Sequence, residues 1–164
     1  MEEKLDWNDL LAQSSSWDHF VCCREREIDS FARLCPEDSA AVVRILRGRR
    51  CTTRESLFQE WAAALQFPYY FGANWDAFEE CLTDLEWLPG TRYLLFLTNV
   101  DQILIKDDPA FVILVQILEK AAEEWRDHSE SRSNLPRLFR VVFHCEPEAE
   151  AFTRNRLKTY LTAR

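Results

Sequence analysis

The order of predicted elements indicates an α/β fold built on a small, mainly parallel β-sheet. Ala40–Leu46 is β-branched and apolar, and Tyr93–Thr98 is an apolar run without alternation, as expected for buried strands of a parallel sheet. Leu138–Phe143 is the last convincing strand, and segments with helical periodicity separate the three. Strands that alternate with helices favour a parallel sheet. A chain of 164 residues with 47% hydrophobic residues is long enough for one domain with a proper core.

Residues 1–39 form an N-terminal extension before this alternation begins. Residues 1–17 are polar and contain a Ser14–Ser16 break, so we expect them to be partly loose. His19–Cys23 has the character of a short strand, and apolar residues at helical spacing follow as far as Pro36, which ends a helix. We therefore expect the extension to add an edge strand and a helix to the sheet, or to form a second contact surface.

Residues 40–145 form the main predicted domain. Within it, Thr52-Thr53-Arg54-Glu55 has a hydroxyl three residues before a glutamate, which is typical of a capping box at a helix start. That helix ends at Pro68, and the next begins near Asn74, whose side chain is a good N-cap.

Two further helices complete the prediction. Asp108-Pro109 begins one of them, since proline is favoured in the first helical turn, and a polar loop follows at 127–136. Pro147 begins an amphipathic helix in the C-terminal segment 146–164.

The helix that begins near Asn74 has an apolar back and an acidic front. Its apolar residues recur at intervals that match one helical face, and they are Trp75, Phe78, Leu82 and Leu85. Three acids and two neighbours lie on the opposite side, namely Asp76, Glu80, Asp84, Glu79 and Thr83. Like charges four residues apart each cost a few tenths of a kcal/mol. A helix surface that keeps several such like-charge pairs gains no stability from them, which favours a binding role. The alternative is a helix face that is simply solvated.

The charge distribution indicates a basic partner. Every charged residue from Glu55 to Thr91 is acidic, and these acids account for nearly all of the net charge of -8. They are Glu55, Glu60, Asp76, Glu79, Glu80, Asp84 and Glu86. An aromatic and glycine stretch, Phe67–Trp75, leads directly into them, with no cation between them. A pI near 5.0 argues against direct binding of nucleic acid or an anionic membrane, because both require positive charge.

The sequence contains no recognisable catalytic motif. The three glycines are isolated and cannot form a phosphate-binding loop. No motif surrounds His19 or His128, and His144-x-Glu146 lacks the paired cysteines of a deaminase-like site. A Mg²⁺-dependent hydrolase built on the acidic helix is an alternative. Acids on successive turns lie about 6 Å apart along the backbone, however, and spread charge more readily than they converge on one ion. We predict no enzyme activity, no cofactor and no metal site.

The cysteines and the chain start favour a cytoplasmic protein. The six cysteines include no Cys-x-x-Cys pair, so we expect reduced thiols buried as small hydrophobic residues. Cys81 is predicted to be a core residue whose thiol pKa is raised by the neighbouring carboxylates, which disfavours a nucleophilic role. Met1–Lys4 lacks the charge pattern of a secretion signal, and no apolar run is long enough to span a membrane.

The run from Pro68 to Asp84 resembles the barstar family of intracellular ribonuclease inhibitors. In that family a proline, aromatic residues, a glycine, an asparagine and an Asp-Ala pair join one helix to the acidic binding helix. The resemblance extends more weakly over about residues 40–144, where the order of strands and helices agrees. It implies a barstar-like sheet packed with helices. It also implies a one-to-one complex in which the acidic helix and the preceding loop block the basic active site of a ribonuclease.

The resemblance also implies which residues contact the partner. It places the binding loop at Tyr70, Gly72 and Asn74, and the strongest helix contacts at Asp76 and Glu80. Gly72 is expected to allow a backbone conformation or a close approach that a side chain would block, whereas Asn74 could be purely a cap. The remaining candidates are Glu79, Thr83 and Asp84.

Three positions differ from the family pattern. Glu80 replaces the family's dominant aspartate, Glu79 replaces a tryptophan, and Lys120 aligns with a late acid. These differences favour a related ribonuclease with a differently shaped basic pocket. The alternative is an interaction or immunity module with the same fold and a partner that is not a ribonuclease. Tyr69 and Phe71 could be core residues that take no part in binding.

Overall fold

The sheet of the computed structural model has four parallel strands in the order β1-β4-β3-β2. The structure describes residues 5–127 and 137–161. The strands are β1 (Asp18–Cys22), β2 (Ala41–Arg47), β3 (Arg92–Thr98) and β4 (Leu138–Cys145). The predicted α/β class with a parallel sheet is therefore confirmed.

Six α-helices connect and cover the strands in the described part of the chain. They are α1 (Trp7–Leu11), α2 (Glu25–Arg33), α3 (Arg54–Leu65), α4 (Trp75–Asp84), α5 (Asp108–Asp127) and α6 (Glu150–Leu161). None of them is both long and apolar enough to cross a bilayer. The polar loop predicted at 127–136 begins at the last residue of α5, and its other residues lie outside the described ranges.

Helices cover both faces of the sheet. On one face, α3, α4 and α5 enclose a large core with inward residues of the strands such as Leu95 and Val141. On the other face, α1 and α2 cover Leu94, Phe96 and Val142. Because β3 and β4 lie in the centre, they are almost fully buried, which explains why both strands are mostly apolar. Strand β4 also buries Arg140 and His144.

The N-terminal extension is part of the folded core. Residues 1–17 were expected to be partly loose, and this is wrong for α1, where Asp6 accepts a hydrogen bond from the Asn8 backbone N–H and Leu10 is buried. Trp17 is also buried. Strand β1 lies at the sheet edge beside β4, with Phe20 opposite Phe143. The extension supplies an edge strand and covers one face of the sheet.

Two local details differ from the sequence prediction. The helix cap of α3 is Thr53, which exchanges side-chain to backbone hydrogen bonds with Ser56, so the predicted pairing of Thr52 with Glu55 is one residue out of register. The segment that begins at Pro147 first forms a short 3₁₀ turn, and α6 follows at Glu150.

Gly48 lies where β2 ends and has a specific packing role. A Cβ atom at this position would lie 2.1 Å from the carbonyl oxygen of Thr98 and 2.4 Å from that of Asn99. Any side chain would therefore push the chain after β2 away from the end of β3. The close approach of two backbones is what requires glycine here.

Candidate partner-binding site

Helix α4 is held in place by its cap and by its apolar side. The Asn74 side chain accepts a hydrogen bond from the Ala77 N–H at 2.9 Å, as predicted for an N-cap. Phe78 and Leu82 are fully buried, and the indole N–H of Trp125 on α5 donates to the Leu82 carbonyl at 2.9 Å. The predicted apolar back of the helix therefore faces the core.

The opposite side of α4 is exposed. Asp76, Glu80 and Asp84 all face solvent. Within the described ranges, no ion pair joins any of the three to a cation of the chain. The helix thus presents a row of carboxylates that the folded protein does not neutralise by direct contact.

The position of these acids along the helix matters for their energy. Asp76 lies in the first turn, where the partial positive charge of the helix start favours a carboxylate. Asp84 is the last helical residue, where the partial charge is negative, and the last turn contains no basic residue. The helix dipole therefore makes Asp76 favourable for the stability of α4, whereas it makes Asp84 unfavourable.

Glu79 differs from its acidic neighbours because it has a partner within the chain. The ammonium of Lys120 on α5 donates to Glu79 Oε1 and forms an ion pair with it. This hydrogen bond raises the pKa of Lys120 above its usual value. The sequence predicted a helix front without a neutralising cation, and for Glu79 that is wrong, because a cation 41 residues away is folded against it.

Glu60 does not belong to the exposed acidic surface. Its side chain is only 7% exposed, and both carboxylate oxygens accept hydrogen bonds from the Arg47 guanidinium at 2.6 and 2.8 Å. Burial acts to raise the pKa of Glu60, but the hydrogen bonds and charge of Arg47 outweigh it and leave the pKa lowered. One of the acids in the predicted charge cluster is therefore a structural residue.

The loop before α4 exposes two tyrosines. Tyr69 is fully exposed, which rules out a core role, and Tyr70 is 66% exposed. Phe71 is half-buried and packs edge-on against Phe58 and Phe67. Large aromatic side chains in water provide contact area for a partner at low entropic cost.

Ala73 has a strained backbone, as does Gln66 at the C-cap of α3, where the loop begins. The φ angle of Ala73 is 49°, in the left-handed region that disfavours residues with a Cβ atom. Gly72 has no positive φ, so the expected need for special backbone freedom at Gly72 is wrong. The expected close approach is present, because a Cβ atom at Gly72 would lie 3.0 Å from Nδ2 of Asn74. Backbone strain at an exposed loop is typical of sites that serve a function.

The side chains of Thr83 and Cys81 make their contacts within the protein itself. The Thr83 hydroxyl lies 3.1 Å from the carbonyl oxygens of both Glu79 and Glu80 and donates within its own helix. Cys81 is buried, and its thiol pKa is raised by burial first and by Asp84 and Glu80 next. The predicted core position and pKa direction of Cys81 are confirmed.

The thiols and carboxylates of the described residues do not form a metal site. All six cysteines are free, but only Cys51, Cys81 and Cys145 are fully buried, so the expectation of buried thiols is wrong for the other three. Across residues 5–127 and 137–161, no group of three or more His, Cys, Asp or Glu side chains is placed to hold a metal ion. What the site offers chemically is unneutralised negative charge beside exposed aromatic rings.

The fold and this surface define a class of protein. It is an α/β protein with a parallel sheet that leaves a carboxylate-bearing helix uncovered on one side. The chain matches the family model described as Barstar (barnase inhibitor) over residues 41–145, which is more than half of its length. The chain therefore belongs to the barstar family, and the predicted resemblance is confirmed. No curated protein matches the chain.

Proposed function

We propose that this protein is a non-enzymatic inhibitor of a ribonuclease. The observation that carries the proposal is the row of exposed, unneutralised carboxylates Asp76, Glu80 and Asp84 in a member of the barnase-inhibitor family. A ribonuclease binds RNA phosphates with cationic side chains, and carboxylates on a rigid helix can occupy the same positions. The chain would then block the active site without carrying out any reaction.

The proposed contact surface combines the acidic helix front with the loop before it. Asp76 and Glu80 supply the charge, and Tyr70, Gly72 and Asn74 supply the loop surface next to it. Thr83 and Asp84 lie further along the helix, and Glu79 joins the surface with its charge already paired to Lys120. We propose a one-to-one complex with a basic protein in the cytoplasm, without direct contact to nucleic acid.

Calorimetry on Asp76→Ala and Glu80→Ala tests this function. The partner is first identified by pull-down from the source cell, and its RNA cleavage is measured with and without the protein. We expect each variant to weaken the complex by at least about 1 kcal/mol, because a charge-assisted hydrogen bond is lost. The variants should stay folded, with a free energy of unfolding that falls by no more than about 1 kcal/mol. Glu86→Ala is the matched control, since it removes an exposed acid that lies outside α4.

Binding that is indifferent to both α4 variants would remove the proposal. Association should also slow steeply with salt, because exposed charges are screened beyond about 8 Å at physiological ionic strength.

The second candidate is an interaction or immunity module whose partner is not a ribonuclease. The Glu79–Lys120 ion pair favours it, because it places a cation on the proposed contact surface. Capture of a partner that has no RNA-cleaving activity would select this alternative.

A further inference from the structure

A groove lies beside the proposed contact surface, between α3 and the loop that leads into α4. Its volume is about 550 Å³. Glu55, Gln59 and Ala62 line one wall, at positions that share a face of α3, and the loop residues Ala73 and Asn74 belong to the opposite wall. Because Asn74 caps α4, the groove is continuous with the acidic helix.

The floor and far wall of the groove are aromatic. Phe58 is buried beneath it, and Trp75 packs edge-on against Phe58 with ring centroids 4.9 Å apart. Phe71 completes the aromatic lining. The electron-rich faces of such rings attract cations, and they attract the planar arginine guanidinium more often than the lysine ammonium.

The groove also has one carboxylate that is not neutralised by direct contact. Glu55 is exposed, and it takes part in none of the ion pairs among the described residues. Arg54 also lines the groove, but its Nε donates to Asp107 Oδ2 at 2.8 Å, so its charge is already paired. Asp76 follows Trp75 directly and adds to the negative potential at this end.

We propose that this groove binds an arginine side chain of the partner. The guanidinium would pair with Glu55 and stack on the aromatic lining, while its apolar stem would cover Ala62 and Ala73. Lysine fits less well because its ammonium is compact and strongly hydrated. That the arginine comes from a basic protein partner depends on the proposed function, whereas the groove's preference for the guanidinium does not. The strained φ of Ala73 is consistent with a loop held in shape to form one wall.

Nuclear magnetic resonance on the full chain tests the groove without knowledge of the partner. The probes are N-acetyl-arginine amide, N-acetyl-lysine amide and N-acetyl-norleucine amide, titrated at low salt. We expect the arginine probe to shift the Trp75 indole N–H and the amides of Ala73 and Asn74 in a saturable manner. The lysine probe should bind more weakly, and the uncharged norleucine probe more weakly still.

The Glu55→Gln variant should weaken binding of the arginine probe about threefold, as expected for one exposed charge pair. Glu86→Gln is the control, because it has the same net charge and leaves the groove unchanged, so its affinity should equal that of the parent. Equal binding by Glu55→Gln, or equal binding of norleucine and arginine, would overturn the inference. Shifts centred on Glu80 instead of Trp75 would overturn it as well.

The outcomes separate this inference from the proposed function. A chain that binds the arginine probe in the groove but inhibits no ribonuclease supports the groove and rejects only the inhibitor function. A chain that inhibits a ribonuclease but binds the arginine probe no better than norleucine rejects only the groove.

Discussion

Lys120 on α5 forms an ion pair with Glu79 on α4, and this contact sets the charge pattern of the exposed helix. The family pattern has an acid near position 120 and a tryptophan at position 79, so both members of the pair are differences from it. Since the two charges neutralise each other, a partner need not supply a cation at Glu79. The acids on either side, Asp76 and Asp84, keep their charge for the partner.

Replacing Lys120 should therefore increase the attraction of a basic partner. In Lys120→Ala the charge of Glu79 is no longer neutralised, and we expect faster association with the partner at low salt and a steeper salt dependence. Stopped-flow measurements check this. Lys106→Ala is the control with the same net charge, because Lys106 is an exposed lysine outside α4 and α5. Equal acceleration in both variants would mean that only total charge matters.

Asp76 and Asp84 should have opposite effects on stability. We expect Asp84→Asn to raise the free energy of unfolding by about 0.3–1 kcal/mol, because it removes a negative charge from the negative end of α4. Asp76→Asn should lower it by a similar amount, because it removes a charge from the positive end. Urea unfolding followed by circular dichroism measures both. Changes of the same sign would show that the helix dipole does not govern these positions.

The N-terminal extension should contribute to the stability of the whole sheet. Ile28 on α2 is 1% exposed in the core that covers Leu94 and Phe96, so Ile28→Ala should cost about 2–5 kcal/mol of unfolding free energy. Leu34, at the C-terminal end of the same helix, is 72% exposed, and Leu34→Ala should change stability by less than about 0.5 kcal/mol. A loosely attached extension would instead give a small change for both variants in global thermal or urea unfolding.

His144 should make stability depend on pH. It is fully buried, its Nδ1 accepts from the Asn99 N–H at 3.2 Å, and its Nε2 lies 3.0 Å from the Cys23 carbonyl oxygen, so it is held in the neutral form. Burial lowers its pKa below the usual 6.5. The unfolded chain then binds a proton at higher pH than the folded chain, so stability is full above pH 6.5 and falls as pH drops below it.

Unfolding measured from pH 7 to pH 5 in His144→Gln checks this pH dependence. The variant should be less stable at pH 7 but should lose less on acidification. Part of the dependence should remain, because burial also lowers the pKa of His19. An unchanged pH profile would remove His144 as the cause.

The sequence predicts those features of the site that depend on local spacing. The two sides of α4 follow from helical periodicity, and the Asn74 cap follows from residue type. The burial of Glu60 on α3 could not be predicted, because Arg47 reaches it from the end of β2 and charged residues are usually solvated. The strain at Ala73 was missed because Gly72 beside it is the residue that normally adopts unusual backbone angles.

The other features that the sequence did not predict depend on contacts between segments that are distant in sequence. No local pattern links Glu79 to Lys120, which lie far apart in sequence and meet only because α4 and α5 pack together. The helix at Trp7–Leu11 is too short for periodicity to identify it, and it is held by burial of Leu10 instead. The groove beside α3 forms between two segments whose relative placement is a tertiary property.

The sheet order has a consequence for biosynthesis. Strand β1 leaves the ribosome before β2 and β3, yet its single neighbour in the described sheet is β4, which is made after both of them. The nascent β1 therefore stays unpaired until β4 has been translated. Such sequence-distant parallel pairing forms slowly, since a long loop must close first. Strand β1 can join the sheet only after β4 is available, and until then the chain depends on conditions that keep an open sheet edge from aggregating.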